Sequence, residues 1–302
     1  MSPALLKRLA LVLIVLVAAW FLLRSAQRTG ADGAEALALP ALSSATVDHL
    51  VLVRALDSLD IVRTEGQWTV NGNPASQRAI ETFLAAATDS SFISELTAQS
   101  AASHLRMGVD SATGHRLTFQ GGGTTILDLW QGNRGPELDG FYFRRVGDSR
   151  VYLVRGQFAE LSGQPADQWR ERQLAGISTA SIGAVQVVRG KTTYLLSRSA
   201  GGWTLSGGRA ADSTKVARFL ALFGDLRAVG FPDAADLPAI RFDPAERIVT
   251  LSDTSGQPLL ALRLDSTETG YWAQARSSPA VYRLETRITE LITPAESTLI
   301  HR

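Results

Sequence analysis

The order of apolar and polar positions divides the chain into a lead segment and a patterned bulk. Leu9 to Leu23 reads LALVLIVLVAAWFLL without a charge, with Lys7 and Arg8 before it and Arg24 and Arg28 after it. As a helix at ~1.5 Å per residue this run spans about 22 Å, short of a ~30 Å hydrocarbon core. Ala4, Leu5 and Leu6 extend its apolar face, Lys7, Arg8 and Arg24 can snorkel, and Trp20 suits an interface. The pattern predicts a transmembrane helix over 9–23, residues 1–8 as a cytoplasmic N-terminus, and export of the bulk. A cleaved signal peptide would share the charged start and apolar middle. However, Leu23-Arg24-Ser25-Ala26 puts Arg where cleavage wants a small residue, and Ala31 to Ala34 is a more distant site. Residues 24–44 are small, polar and broken by Gly and Pro, which predicts a linker.

The bulk repeats itself. Gly66-Gln67-Trp68-Thr69-Val70 returns as Gly202-Trp203-Thr204-Leu205, each after a β-like run, Leu59 to Arg63 and Tyr194 to Arg198. An amphipathic helix follows each. Its apolar stripe is Ile80, Phe83, Leu84 and Ala87 in the first, and Val216, Phe219, Leu220 and Phe223 in the second. Both follow the i, i+3, i+4, i+7 spacing of a core-facing helix. Asn73 with Pro74 suits the first helix start, and Asp212 or Ser213 the second. Downstream, His115 to Gln120 with Thr125 to Trp130, and Arg247 to Ser252 with Leu259 to Leu264, read as strand pairs joined at Gly121–Gly123 and Ser255-Gly256. Gly140-Phe141-Tyr142 before Val151-Tyr152 then matches Gly270-Tyr271-Trp272 before Val281-Tyr282. The expected fold is α+β: two repeated units of antiparallel strands packed on a helix. Each has three strands, a helix and about four strands. They cover 45–164 and 178–293, with a helical connector over 165–177 and a tail over 294–302.

The order of these motifs, followed by Asp167-Gln168-Trp169-Arg170, resembles the bacterial family called domain of unknown function 4340, over nearly all of the exported part. The resemblance implies an uncharacterised, membrane-anchored protein, often encoded beside ABC-transporter or gliding-type transport components. It carries over no catalytic residue.

Composition narrows the chemistry. Net charge is +1, from 30 basic and 29 acidic residues, without the polycationic footprint of a nucleic-acid binder. Cysteine is absent, which removes disulfides, thiol catalysis and Cys-based metal sites. Gly190-Lys191-Thr192 echoes a phosphate-binding loop, but Val185 stands where its first Gly belongs, so a turn between strands is expected. His49, His104, His115 and His301 have no ligand spacing. Ser178, in Gly176 to Ala180, lacks the frame of a nucleophile elbow. Glu137 with Asp139, and Asp265 with Glu268, are the acid pairs a hydrolase would use, although they lie in strand-connecting loops where acids usually serve solubility. Trp68 and Trp203 are expected in the core. Phe141, Tyr142, Tyr271 and Trp272 are candidate binding aromatics, because alternation in an extended strand turns some of them away from one core; cross-strand packing is the competing reading.

The expectation is a non-enzymatic accessory or protein-binding module without cofactor or metal, held by one helix in the inner membrane with its C-terminal bulk extracytoplasmic. Its partner is expected among envelope or membrane proteins, ABC transporter components included, and not among nucleic acids. The alternatives are a module that binds an envelope polymer, carbohydrate or peptide, and a carboxylate-dependent envelope hydrolase.

Overall fold

In the computed structural model the described residues are 36–54, 57–233 and 235–300. The fold is mixed α and β, with mostly antiparallel strands and few helices. Leu9 to Leu23 lies outside the described residues. Among the described residues, no helix is long and apolar enough to cross a membrane.

The first sheet contains β1 (His49–Val53), β2 (Ser58–Thr64), β3 (Gln67–Val70), β4 (Asn73–Pro74), β5 (Ile93–Ala98), β6 (His115–Gly121), β7 (Thr124–Arg134), β8 (Phe141–Arg145) and β9 (Val151–Arg155). Its order is β4-β3-β2-β1-β6-β7-β8-β9-β5. After a two-stranded pairing that involves β10 (Gln173–Ala175) come β11 (Ala184–Arg189), β12 (Thr192–Ser199), β13 (Gly202–Leu205) and β14 (Arg209–Ala210). The chain continues through β15 (Leu226–Arg227), which pairs β10, to β16 (Arg247–Ser252), β17 (Pro258–Thr267), β18 (Gly270–Ala275) and β19 (Val281–Leu284). The second sheet has the order β14-β13-β12-β11-β16-β17-β18-β19. Apart from β5, the two sheets place corresponding strands in one order.

The helices are α1 (Gln77–Ala86), a single turn α2 (His104–Met107), α3 (Gln157–Leu161), a single turn α4 (Ala166–Trp169), α5 (Ser213–Ala221) and α6 (Thr286–Ile292). The stripes read from sequence are the buried faces: Ile80, Phe83 and Leu84 in α1, and Val216, Phe219 and Leu220 in α5. Burying such a side chain contributes roughly 1.5–3 kcal/mol. Asp212 caps α5, its Oδ1 accepting from the amides of Thr214 and Lys215 at 2.9 and 3.2 Å. The expected start of α1 at Asn73 and Pro74 is corrected. Those residues return along β3 as β4, and α1 begins at Gln77 after Ser76, whose Oγ accepts from Ala79. The turns come where the glycines set them: Gly122 and Gly123 have φ of 57° and 76°, and Gly256 has 85°. Gly140, which has a φ of 70°, and Gly270 open the matching hairpins under a further constraint. A Cβ at either would run into the carbonyl of Val154 or Leu284.

By compactness the chain forms two units, one of residues 36–62 with 80–164, the other of 63–79 with 165–300. Residues 63–79 thus group with the second unit rather than follow the 45–164 boundary. The cause is local. Ala75 bridges Arg170, the Ser76 amide donates to the Trp169 carbonyl at 2.8 Å, and the Glu171 amide donates to the Pro74 carbonyl at 2.9 Å. Asp167-Gln168-Trp169-Arg170 is therefore a structural node. Trp169 is fully buried, and the Arg170 guanidinium lies 3.6 Å from the Phe231 ring centre.

The core of the first unit is aromatic. Phe158 on α3 lies 5.1 Å from Phe83, 6.3 Å from Phe119 and 5.8 Å from Phe143, centre to centre, all four fully buried. The core of the second unit joins Val185, Val187, Tyr194 and Leu196 to α5, to Val249, Leu251, Leu262 and Leu264, and to Ile292 of α6. Two expected segments prove to be part of the fold. Leu37 and Leu42, placed in the linker, are buried, as is Leu299, placed in the tail. Leu37 and Leu42 lie in an irregular stretch and Leu299 ends a four-residue 3₁₀ turn, all too short to leave a periodic trace.

Candidate functional site

A groove of about 540 Å³ lies in the second unit, within the ~300–1,000 Å³ range of ligand sites. One wall is the flank of α5 beside its buried stripe, with Lys215, Arg218, Phe219 and Leu222; the other is α6 and the segment after it, with Glu290, Leu291, Pro294, Ala295, Thr298 and Leu299. The α6 wall is positioned by the sheet. Thr289 and Ile292 face the core, and Leu291, on the other side of the helix, is 43% exposed. The following 3₁₀ turn, Glu296–Leu299, is tied to α5 by the Asp212 amide donating to the Leu299 carbonyl and by Lys215 Nζ donating to the Ile300 carbonyl at 2.7 Å.

An arginine under the groove fixes this wall. Arg247, on the first residue of β16, is buried and donates to Glu290 at 2.6 Å, Tyr271 Oη at 2.7 Å and Thr293 Oγ1 at 3.1 Å. The other Glu290 oxygen accepts from Arg189 at 2.8 Å. The Arg247 hydrogen bond, helped by the charges of Arg247 and Arg189, holds the Glu290 carboxyl below its usual range. Glu290, the groove's acidic lining residue, is thus committed to two arginines. Arg218 is exposed and has no ion-pair partner among the described residues. The site is apolar inside, with a cationic edge.

A second cavity, of about 290 Å³ in the first unit, is lined by Arg54, Arg116, Trp130 and the Ser111–Gly114 turn. Its arginines are spoken for: Arg54 is paired to Asp57 and donates to the carbonyls of Gly163 and Gln164, and Arg116 forks onto Asp128.

None of the four sequence-chosen aromatics lines either cavity. Tyr271 is 7% exposed and spends its hydroxyl on Arg247. Trp272 is half-buried on the opposite face of β18. Phe141 is half-buried under the Arg134 guanidinium at 4.5 Å, and Tyr142 packs beside Met107, Val109 and Val151. Trp68 is buried, whereas Trp203 is partly buried with Arg198 over its ring at 5.2 Å. Asp139, Asp265 and Glu268 line neither cavity. Glu137 lies in the Pro136–Leu138 turn, Asp139 is paired with Arg155, and Asp265 and Glu268 sit at the β17–β18 hairpin. His49 meets Asp60 and Gln120, and His104 meets the Ser149 carbonyl. Burial, then the charge of Arg54, lowers the His115 pKa, and His301 lies outside the described residues. Gly190-Lys191-Thr192 is the β11–β12 turn, and Ser178 caps a 3₁₀ turn by accepting from Ala180. Among the described residues, no group of His, Asp and Glu is arranged to hold a metal ion.

Apart from Phe219, read as a core position, the groove residues were missed by sequence reading. Their signal was a second apolar position on each helix outside its core stripe, Leu222 on the α5 side and Leu291 on α6.

No curated protein and no solved structure matches the chain. The family described as domain of unknown function DUF4340 matches residues 68–245. That span takes in the Trp68 and Trp203 motifs, both helix stripes and the Asp167–Arg170 node, and the chain belongs to this family.

Proposed function

We propose that this protein is a non-enzymatic accessory module, tethered to the membrane by Leu9 to Leu23, with its two-unit bulk outside the cytoplasm. It acts by holding another envelope or membrane protein in the groove between α5 and α6. The observation that carries this reading is the groove: an apolar channel between α5 and the stretch that runs from the end of α6 into the following 3₁₀ turn, with Leu291 43% exposed on one wall and the groove's carboxylate locked by two arginines. Helix-lined apolar grooves with few fixed charges are a recurrent mode of protein docking. The repeated strand order supports a duplicated scaffold that presents this surface. The tether supports the reading as well. This confinement raises the effective concentration of a membrane neighbour, so modest contacts suffice.

The test is affinity purification of the full-length chain in detergent, comparing the native protein with Leu291→Asp. The reading expects a stoichiometric protein partner that the variant loses while its melting temperature holds. A partner retained undiminished by Leu291→Asp, or no partner at all, refutes docking through the groove.

A further inference from the structure

We infer that the occupant of the groove is an acidic amphipathic helix of the partner protein, about three turns long, laid between α5 and α6. This rests on the groove being the docking site and adds what fills it.

Three observations converge. On the first wall, Lys215, Arg218, Phe219 and Leu222 stand at i, i+3, i+4 and i+7, so the groove runs along the helix axis rather than across it. The helical stretch from Ser213 to Gly224 is about 18 Å long at ~1.5 Å per residue. On the second wall, Leu291 lies near the end of α6, and Pro294, Ala295 and Thr298 follow in the irregular stretch and 3₁₀ turn after it, where Ala295 and Thr298 are small. Small residues let a third backbone approach to the ~8–10 Å of packed helices, with ridges of apolar side chains entering the channel.

Charge then selects the partner's sign. Glu290 is neutralised by Arg247 and Arg189. Lys215 points to the Ile300 carbonyl and lies 4.0 Å from Asp212. Arg218, exposed at the edge and without an ion-pair partner among the described residues, stands ready for a carboxylate. The matching helix therefore carries apolar residues at i, i+4 and i+7 and an acidic residue flanking them on the α5 side. An acyl chain would use the apolar channel too, but it has no need of a wall stepped at helical spacing along α5.

The experiment places a photo-crosslinking p-benzoylphenylalanine at Leu291 of the full-length chain, in the cells that make it, and maps the adduct by mass spectrometry. The expected adduct lies in a protein segment with helical apolar spacing and acidic residues on one flank. Its yield should fall about fivefold in an Arg218→Glu background. Yield should return when the mapped acid is reversed to Lys. Arg218 is exposed, so the variant keeps its fold, which its melting temperature verifies. An adduct to lipid, to a second copy of this chain or to a basic or non-helical segment overturns the inference, as does the absence of any adduct or a yield unaffected by Arg218→Glu. If Leu291→Asp still abolishes co-purification in those cases, the groove remains the docking site and only its occupant was misassigned.

Discussion

Replacing Arg247 by Ala probes how the groove wall is held. Its side chain is 9% exposed, and it donates to Glu290, Tyr271 and Thr293. The Glu290 partner is 43% exposed, so that pair contributes no more than the ~1 kcal/mol of a screened surface bridge. The two hydroxyls are buried, and hydrogen bonds from a charged donor are worth about 1.5–3 kcal/mol each. Tyr271 retains Glu246 at 3.4 Å and Thr293 retains the Thr289 carbonyl at 2.7 Å, so neither is fully orphaned. The net cost of Arg247→Ala is about 2–4 kcal/mol, with Arg247→Lys about half of that because an ammonium cannot reach three partners in one plane. Urea unfolding gives the energy, and amide hydrogen exchange shows where it falls. The amides of α6 should lose protection more than those of α5. A loss under ~0.5 kcal/mol with α6 protection unchanged would refute the claim that Arg247 pins this wall.

Other outcomes follow from the same contacts. Phe158→Ala removes the ring that meets Phe83, Phe119 and Phe143 and should destabilise the first unit by about 3–5 kcal/mol in chemical denaturation; a cost below ~1 kcal/mol would contradict the aromatic core. Glu290 has a folded pKa below its ordinary 4.5, so its contribution is full above that pH and drains away as pH falls through the lowered value. The stability of Glu290→Gln should therefore vary less with pH below 4.5 than that of the native chain, and equal slopes would deny the pairing. N-terminal sequencing of the mature protein should find Leu9 to Leu23 retained, and a start near Gln27 or Glu35 would end the anchor proposal.

Helix stripes were the most legible part of the fold, because Ile80, Phe83 and Leu84, and Val216, Phe219 and Leu220, repeat at a period no strand would give. Hairpins were legible where a glycine is required, at Gly122-Gly123 and before Phe141 and Tyr271. Strand β5 was not anticipated. ISELTA covers neither face fully, since the strand lies at a sheet edge with alternately exposed and half-buried residues. Helices α3 and α6 after the last strand of each unit were missed, being only five and seven residues long. The groove was hidden for a related reason. Its walls come from two elements some 70 residues apart, and Pro294, Ala295, Thr298 and Leu299 belong to the stretch read as a tail. The aromatics attracted attention by residue type, yet Tyr271 turns inward because its hydroxyl finds Arg247.

Complementation of a null strain puts the central claim to its most direct trial. The full-length chain is compared with Leu291→Asp, with an exported form lacking residues 1–24, and with Ala substitutions at Glu137, Asp139, Asp265 and Glu268. The account predicts full function from every acid variant and impaired function from Leu291→Asp and from the untethered form. Function abolished by one acid-to-Ala change that leaves folding intact, together with full rescue by the untethered chain, would contradict it and identify an enzyme.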